Sequence, residues 1–287
     1  MKQLNFDLKN LVVRSSDGSY GTQAARHRIL QQVANELHDL GYRGMTAKSL
    51  RPEHVEAIVK LWKSKELSEG TMKNRMSLAR WWAQKIDKAP VVARSNEHYG
   101  IGLRSYVTGE NKGRDLDKEK LDKVTDHHTK TSLLLQQAFG LRREEAIKFS
   151  PTYADRGDRI VLKATWTKGG KAREIPIRTE RQRAVLNEAM RLGGRGSMIP
   201  VHKNYVQQLR TYERNTIKAN LDRNHGLRHT YAQQRYKDIT GWECPVRGGP
   251  KRAELSADDR NVDQAARLEI SRELGHERIG IVASYIG

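Results

Sequence analysis

A single cysteine, Cys244, stands in the 287 residues. One thiol forms no internal disulfide and no cysteine metal cluster, and the usage fits a reducing cytoplasm. No apolar run approaches the ~18–20 residues that span a bilayer. The first ten residues are polar and charged, so no secretory signal is expected. The nucleotide-binding patterns GxGxxG and GxxxxGK(S/T) are both missing. With no metal-ligating motif either, no cofactor is expected. Internal repeats and low-complexity tracts are absent too.

Acidic residues are also short. Asp plus Glu number 34 against 53 Lys plus Arg, a net charge of +19 and a sequence pI near 10.0. That balance is the electrostatic footprint of a nucleic-acid binder, although an anionic membrane surface would suit it as well. Hydrophobic residues make up 37% and charged residues 30%, above the disordered range but with a strongly ionic surface. The excess is spread: residues 1–105 carry +8 and residues 106–287 carry +11. A partner gripped by both parts, as duplex DNA can be, accounts for this better than one basic tail.

Apolar spacing predicts helices over 21–41 (Ile29, Leu30, Val33, Leu37, Leu40), 51–65 (Val55, Ile58, Val59, Leu61, Trp62) and 67–86 (Met76, Leu78, Ala79, Trp82, Ile86). Ser68 or Thr71 caps the third, and Lys73, Arg75, Arg80 and Lys85 line its outer side as a candidate DNA-facing surface. Residues 88–115 read as a linker. Helical patterns follow at 115–126 and 129–149. Residues 159–177 read as two strands around the turn Lys168-Gly169-Gly170-Lys171. Helices resume at 179–192, 201–220 and 226–237. Residues 238–263, with three glycines and two prolines, read as a surface loop, and a last helical pattern starts near Val262. The fold class expected is mainly α with a small β-hairpin, in two domains, 1–105 and 106–287.

Four short stretches stand out in the second part: "GLRREE" with Arg142 and Glu145, "TKGGKAREIP" with Lys168 and Lys171, "HGLRHTYA" with His225 and Arg228, and "LGHERIGIVASY" with His276 and Tyr285. Singly each is weak. An Arg on a helix is usually a surface charge, and His-x-x-Arg merely puts two polar groups on one helical face. Their order and context together resemble the tyrosine recombinase (phage integrase) family: its first arginine box, its hairpin lysine, its His-x-x-Arg box and its Leu-Gly-His box with the nucleophilic Tyr. The nine-residue spacing from His276 to Tyr285 matches the family pattern.

The resemblance implies an α+β catalytic domain over 106–287 behind a helical core-binding domain over 1–105. It implies Arg142, Lys168, His225, Arg228, His276 and Tyr285 as the catalytic set, with Glu145 orienting Arg142. The chemistry is consistent. A phosphodiester resists nucleophiles until the charge building on its non-bridging oxygens is neutralised, which planar Arg forks do well. Lys168 would protonate the leaving 5′-oxygen, with Lys171 its rival in the same turn. His276 would donate to the phosphate and His225 would help deprotonate Tyr285, a phenol whose ordinary pKa is near 10. Lys171 and Arg173 add candidate DNA contacts. His229 matches a buried packing position of the family.

Also implied are double-stranded DNA as partner, a homotetramer on two DNA sites, accessory DNA-bending or directionality proteins, and a cytoplasmic, nucleoid-associated place in a bacterial or phage system. An integrase of a mobile element is the first expectation. A Xer-like resolvase, a type IB topoisomerase and an inactive DNA-binding regulator are the alternatives. Two features depart from the family pattern. Arg228 and His276 are 48 residues apart, with the extra length in 238–263, and two residues follow Tyr285, where relatives carry a tail that couples subunits.

Overall fold

The structure, a computed structural model, describes residues 2–167, 169–276 and 278–287. The chain divides into two units, Met1–Ser105 and Tyr106–Gly287.

In the first unit the helices are α1 Gln3–Ser15, α2 Tyr20–Asp39, α3 Pro52–Ser64 and α4 Glu69–Lys85. Ser19 and Ser68 open α2 and α4 by accepting from the backbone N–H of Thr22 and Thr71, groups with no partner inside the helix. Leu30, Val33 and Leu37 of α2, Val55, Ile58 and Trp62 of α3, and Met72, Met76, Ala79 and Trp82 of α4 share one core with Leu4, Leu8 and Val12 of α1. Leu40, expected inward, lies just past the end of α2 and is exposed.

The basic outer side expected of α4 does not form as a set. Arg75 is buried: its guanidinium bonds Glu36 of α2 at 3.2 Å and lies 5.2 Å from the Trp62 ring centre. Trp62 Nε1 donates to the same carboxylate at 2.8 Å. Arg75 is therefore an internal ion-pair partner, unavailable to DNA. Arg80 fastens the following chain, donating to the Ala93 carbonyl (2.9 Å) and Asn96 Oδ1 (2.8 Å). Lys85 is exposed and pairs with Asp17 at 3.6 Å. Lys73 is half-buried.

In the second unit the order is α5 Lys118–Asp122, α6 His127–Phe139, α7 Arg143–Lys148, α8 Pro151–Ala154, β1 Arg159–Leu162, β2 Arg173–Pro176, α9 Glu180–Gly193, α10 Tyr205–Lys218, α11 Gly226–Thr240, α12 Ala257–Glu273 and α13 Ala283–Ile286. β1 and β2 pair antiparallel, Arg159 opposite Pro176 and Leu162 opposite Arg173. Their inward face carries Ile160, Leu162, Arg173 and Ile175. The main core joins these strands to α6, α9, α11 and α12, and Tyr285 and Ile286 of α13 belong to it.

Three expectations change. The single helix expected over 129–149 breaks after Phe139, because Gly140 is left-handed (φ +61°) and a Cβ there would meet the Tyr231 ring at 2.6 Å. α12 starts at Ala257, inside the stretch read as loop, with Ser256 capping it through Asp259 N–H. The remainder of 238–263 is no free surface loop. Cys244 and Leu255 are buried, Trp242 and Val246 pack on the core, and the 3-10 turn Pro245–Arg247 lies against α13. No described helix is long and apolar enough to cross a membrane.

Candidate active site

The break after α6 aims Arg142 into a cleft. Arg142 stands at the N-cap of α7. Glu145, three residues on, accepts from the Arg142 backbone N–H and from Nη1, both at 2.7 Å. Behind it, Arg173 reaches in from β2 and bonds both Glu145 oxygens at 2.9 and 2.6 Å, while its Nε holds the Glu273 carbonyl at 2.8 Å. Burial alone would raise the Glu145 pKa; the Arg173 hydrogen bonds and charge outweigh it and, with Arg228 and the Arg142 N–H, bring it to about 2. Glu145 is thus a fixed anion orienting Arg142. Arg173, expected at DNA, is buried as its counter-ion, since the strand's alternation puts it on the face of Ile175.

Arg228, in the first turn of α11, is fully buried. Nη1 donates to the Gly140 carbonyl at 2.5 Å, Nη2 to the Leu274 carbonyl, and Nε lies 3.4 Å from the Tyr285 hydroxyl. Burial lowers its pKa to about 10, with Arg142 and Arg173 adding to the shift, so it stays charged at neutral pH.

Left-handed Gly275 (φ +65°) ends the turn after α12 and sends His276 back toward the cleft, its N–H on the Ser271 carbonyl at 2.8 Å. His276 Nε2 lies 3.2 Å from the Tyr285 hydroxyl and 3.4 Å from Arg228 Nη2. Desolvation, then the charges of Arg228, Arg142 and Arg173, press its pKa down to about 4, so the ring is neutral near pH 7. Tyr285 itself is buried, with His229 packed against its ring at 4.6 Å between centres and His225 at 6.3 Å. Desolvation at the cleft mouth, followed by Arg228 and Arg142, also lowers the His225 pKa.

Arg142, Arg173, His225, His276 and Tyr285 line one cleft of about 650 Å³, together with Lys171 and Arg278. Five of the six residues expected as a catalytic set therefore converge: Arg142, His225, Arg228, His276 and Tyr285. The sixth, Lys168, lies outside the described residues. Lys171 is exposed at the cleft. Motif reading missed Arg173's inward role, for which the alternation of β2 was an available signal, and Arg278, for which there was none. Among the described residues no group of His, Cys, Asp and Glu is arranged to hold a metal ion.

The family model described as Phage integrase, N-terminal, matches residues 1–89, and that described as Integrase matches residues 102–234. The second match takes in Arg142, Glu145, His225 and Arg228 and stops before His276 and Tyr285. Comparison with curated protein sequences finds no match. Among solved structures, the Tn1549 transposon integrase in complex with circular intermediate DNA is 12% identical with a TM-score of 0.55, over 98% of this chain and 95% of that one. The XerH site-specific recombinase bound to difH substrate is 15% identical with a TM-score of 0.56, over 99% and 81%. A lambda integrase dimer bound to a COC′ core site is 11% identical with a TM-score of 0.62, over 97% and 75%. At these identities the structural likeness speaks for the fold. The two family matches, which between them take in most of the chain, and the shared fold identify it as a member of the phage integrase (tyrosine recombinase) family, enzymes that break and rejoin DNA strands.

Proposed function

We propose that this chain is a site-specific DNA recombinase, an integrase that cuts and rejoins duplex DNA through a 3′-phosphotyrosyl intermediate in the integration and excision of a phage or other mobile element. The observation that supports this most is the Tyr285 hydroxyl, 3.2 Å from His276 Nε2 and 3.4 Å from Arg228 Nε, at the wall of a cationic cleft. A backbone phosphate in that cleft meets Arg142, held by Glu145, and lies in the field of Arg228, buried against Tyr285. Both offset negative charge as it grows in the transition state.

Tyr285 Oη attacks phosphorus, the bond from phosphorus to the 5′-oxygen breaks, and the phenol proton passes to neutral His276. His276 is in hydrogen-bond contact with that hydroxyl, and its ring centre is 5.7 Å from that of Tyr285 against 6.3 Å for His225, the base expected from sequence. The 5′-oxygen takes its proton from Lys168, a role carried by the sequence motif alone. Attack by a 5′-hydroxyl on the phosphotyrosyl bond reverses the steps and reseals DNA. The DNA complexes described for the Tn1549, XerH and lambda proteins support duplex DNA as the partner. A homotetramer across two sites and a core-binding role for residues 1–105 follow from the same reading.

The test is a trapping assay. Nicked suicide duplexes drawn from mobile-element ends are incubated with wild type and Tyr285→Phe, and detergent-stable adducts are mapped. The reading expects an adduct at Tyr285 with a free 5′-hydroxyl, lost in Tyr285→Phe while DNA binding persists. An adduct that survives Tyr285→Phe would overturn it.

A further inference from the structure

Gln233 lies one and a half turns along α11 from Arg228 and is fully buried, yet it belongs to none of the recognisable motifs. Its amide ties together three remote segments. Nε2 donates to the Tyr285 carbonyl at 3.1 Å and to Asn111 Oδ1 at 2.9 Å, and Oε1 accepts from Arg247 Nε at 2.8 Å. Chemistry permits only this orientation. A guanidinium donates only, so Oε1 faces Arg247. A backbone carbonyl accepts only, so Nε2 faces Tyr285. Asn111 Oδ1 also accepts from the Gly113 N–H at 2.9 Å, which turns its oxygen toward Gln233. Both amide hydrogens are used and the oxygen is held, so the buried Gln233 side chain has one satisfied orientation that links two surface residues to the Tyr285 backbone.

α13 is anchored by the buried side chains of Val282, Tyr285 and Ile286 and by Arg267 Nη1 on the Gly287 carbonyl at 3.0 Å, and the Gln233 bond holds the Tyr285 carbonyl itself. The helix is four residues long and follows a 3-10 turn, Ile279–Ile281. So short a helix has no stability of its own. Its place comes from packing and from the Gln233 bond. We propose that Gln233 is a positioning residue for Tyr285, and that the 238–263 segment serves to orient it through Arg247. This rests on the reading of Tyr285 as nucleophile. The segment's turn then has a function beyond filling space: Pro245 and Val246 pack under α13 while Arg247 fixes the amide that holds the Tyr285 backbone. A shift of about 1 Å in a nucleophile costs on the order of 100-fold in rate without touching affinity.

The experiment measures single-turnover cleavage of a nicked duplex at saturating DNA, the Kd for that DNA, and the thermal midpoint of the full chain. Gln233→Glu keeps the acceptor for Arg247 and loses the donor to Tyr285; Gln233→Met keeps the volume and loses both. Each is expected to slow cleavage about 100-fold with Kd within about twofold. Arg247→Ala is expected to slow it about 10-fold and Arg247→Lys, which can still donate to Oε1, to restore most of that.

Wild-type rates in both Gln233 variants would overturn the proposal, as would equal losses in rate and affinity. Should the Gln233 variants fail to fold, Arg247→Ala decides, and an unchanged rate there counts against it. Tyr285→Phe in the same series separates the two readings. A surviving adduct sinks the nucleophile assignment, whereas a Tyr285 adduct with Gln233-independent rates sinks only this one.

Discussion

Replacing Glu145 with Gln removes one buried negative charge between Arg142 and Arg173 while keeping the side chain's shape. The carboxylate is fully buried and bonded by Arg142 and twice by Arg173. Its pKa stands at about 2 in the folded chain against an ordinary 4.5. At ~1.4 kcal/mol per pH unit that gap corresponds to about 3 kcal/mol of folding stability. The folded value is the lower one, so the contribution is complete above pH 4.5 and is lost as pH falls through about 2. Glu145→Gln should therefore be less stable than wild type by about 3 kcal/mol at pH 7, roughly 6–12 °C in midpoint for a unit of this size, with the difference closing toward pH 2. Urea unfolding of both proteins at pH 7, 4 and 2.5 measures it. A difference below about 1 kcal/mol at pH 7, or one that stays constant down to pH 2.5, would refute the assignment of Glu145 as the counter-ion of Arg173 and Arg142.

Arg228→Lys should lower cleavage by about 10³-fold or more with DNA affinity changed only several-fold. A single ammonium cannot hold the Gly140 and Leu274 carbonyls while facing Tyr285, and single-turnover rates beside Kd check this. For His276, whose pKa lies near 4, cleavage at subsaturating DNA should hold level from pH 8 to 5 and fall only toward pH 4. An inflection near pH 6.5 would mean that the imidazole is not held neutral by the cations around it. His276 also withdraws stability as pH falls from 6.5 to about 4, because the unfolded chain takes up the proton first. Arg75→Met should destabilise the first unit by about 3 kcal/mol, as for any buried pair that loses one partner, and leave the salt slope of DNA binding unchanged. A slope reduced by about one would return Arg75 to the DNA-facing set.

How far the sequence discloses this arrangement depends on the range of the interaction. Reaction chemistry restricts residue types, so Arg142, His225, Arg228, His276 and Tyr285 are readable from three short boxes, and the structure lines one cleft with four of them and buries Arg228 against Tyr285. Helical periodicity is equally local, and it located α2, α3 and α4. Applied strictly it also predicts Arg75's place: Met72, Arg75, Met76, Ala79 and Trp82 form one stripe, and a charge inside an apolar stripe demands a buried partner, here Glu36. Arg173 obeys the same logic at period two, sharing the inward face of β2 with Ile175. Their DNA-facing assignment weighed charge above phase, and phase wins because burying an unpaired cation costs more than pairing it. Gln233 is different in kind. Asn111, Arg247 and Tyr285 lie 122, 14 and 52 residues away, so no window along the chain brings them together. The 238–263 segment misleads for a related reason. Gly and Pro announce how a backbone turns, whereas Cys244 and Val246, two apolar side chains between those turns, decide what it packs against, and that is the helix bearing Tyr285.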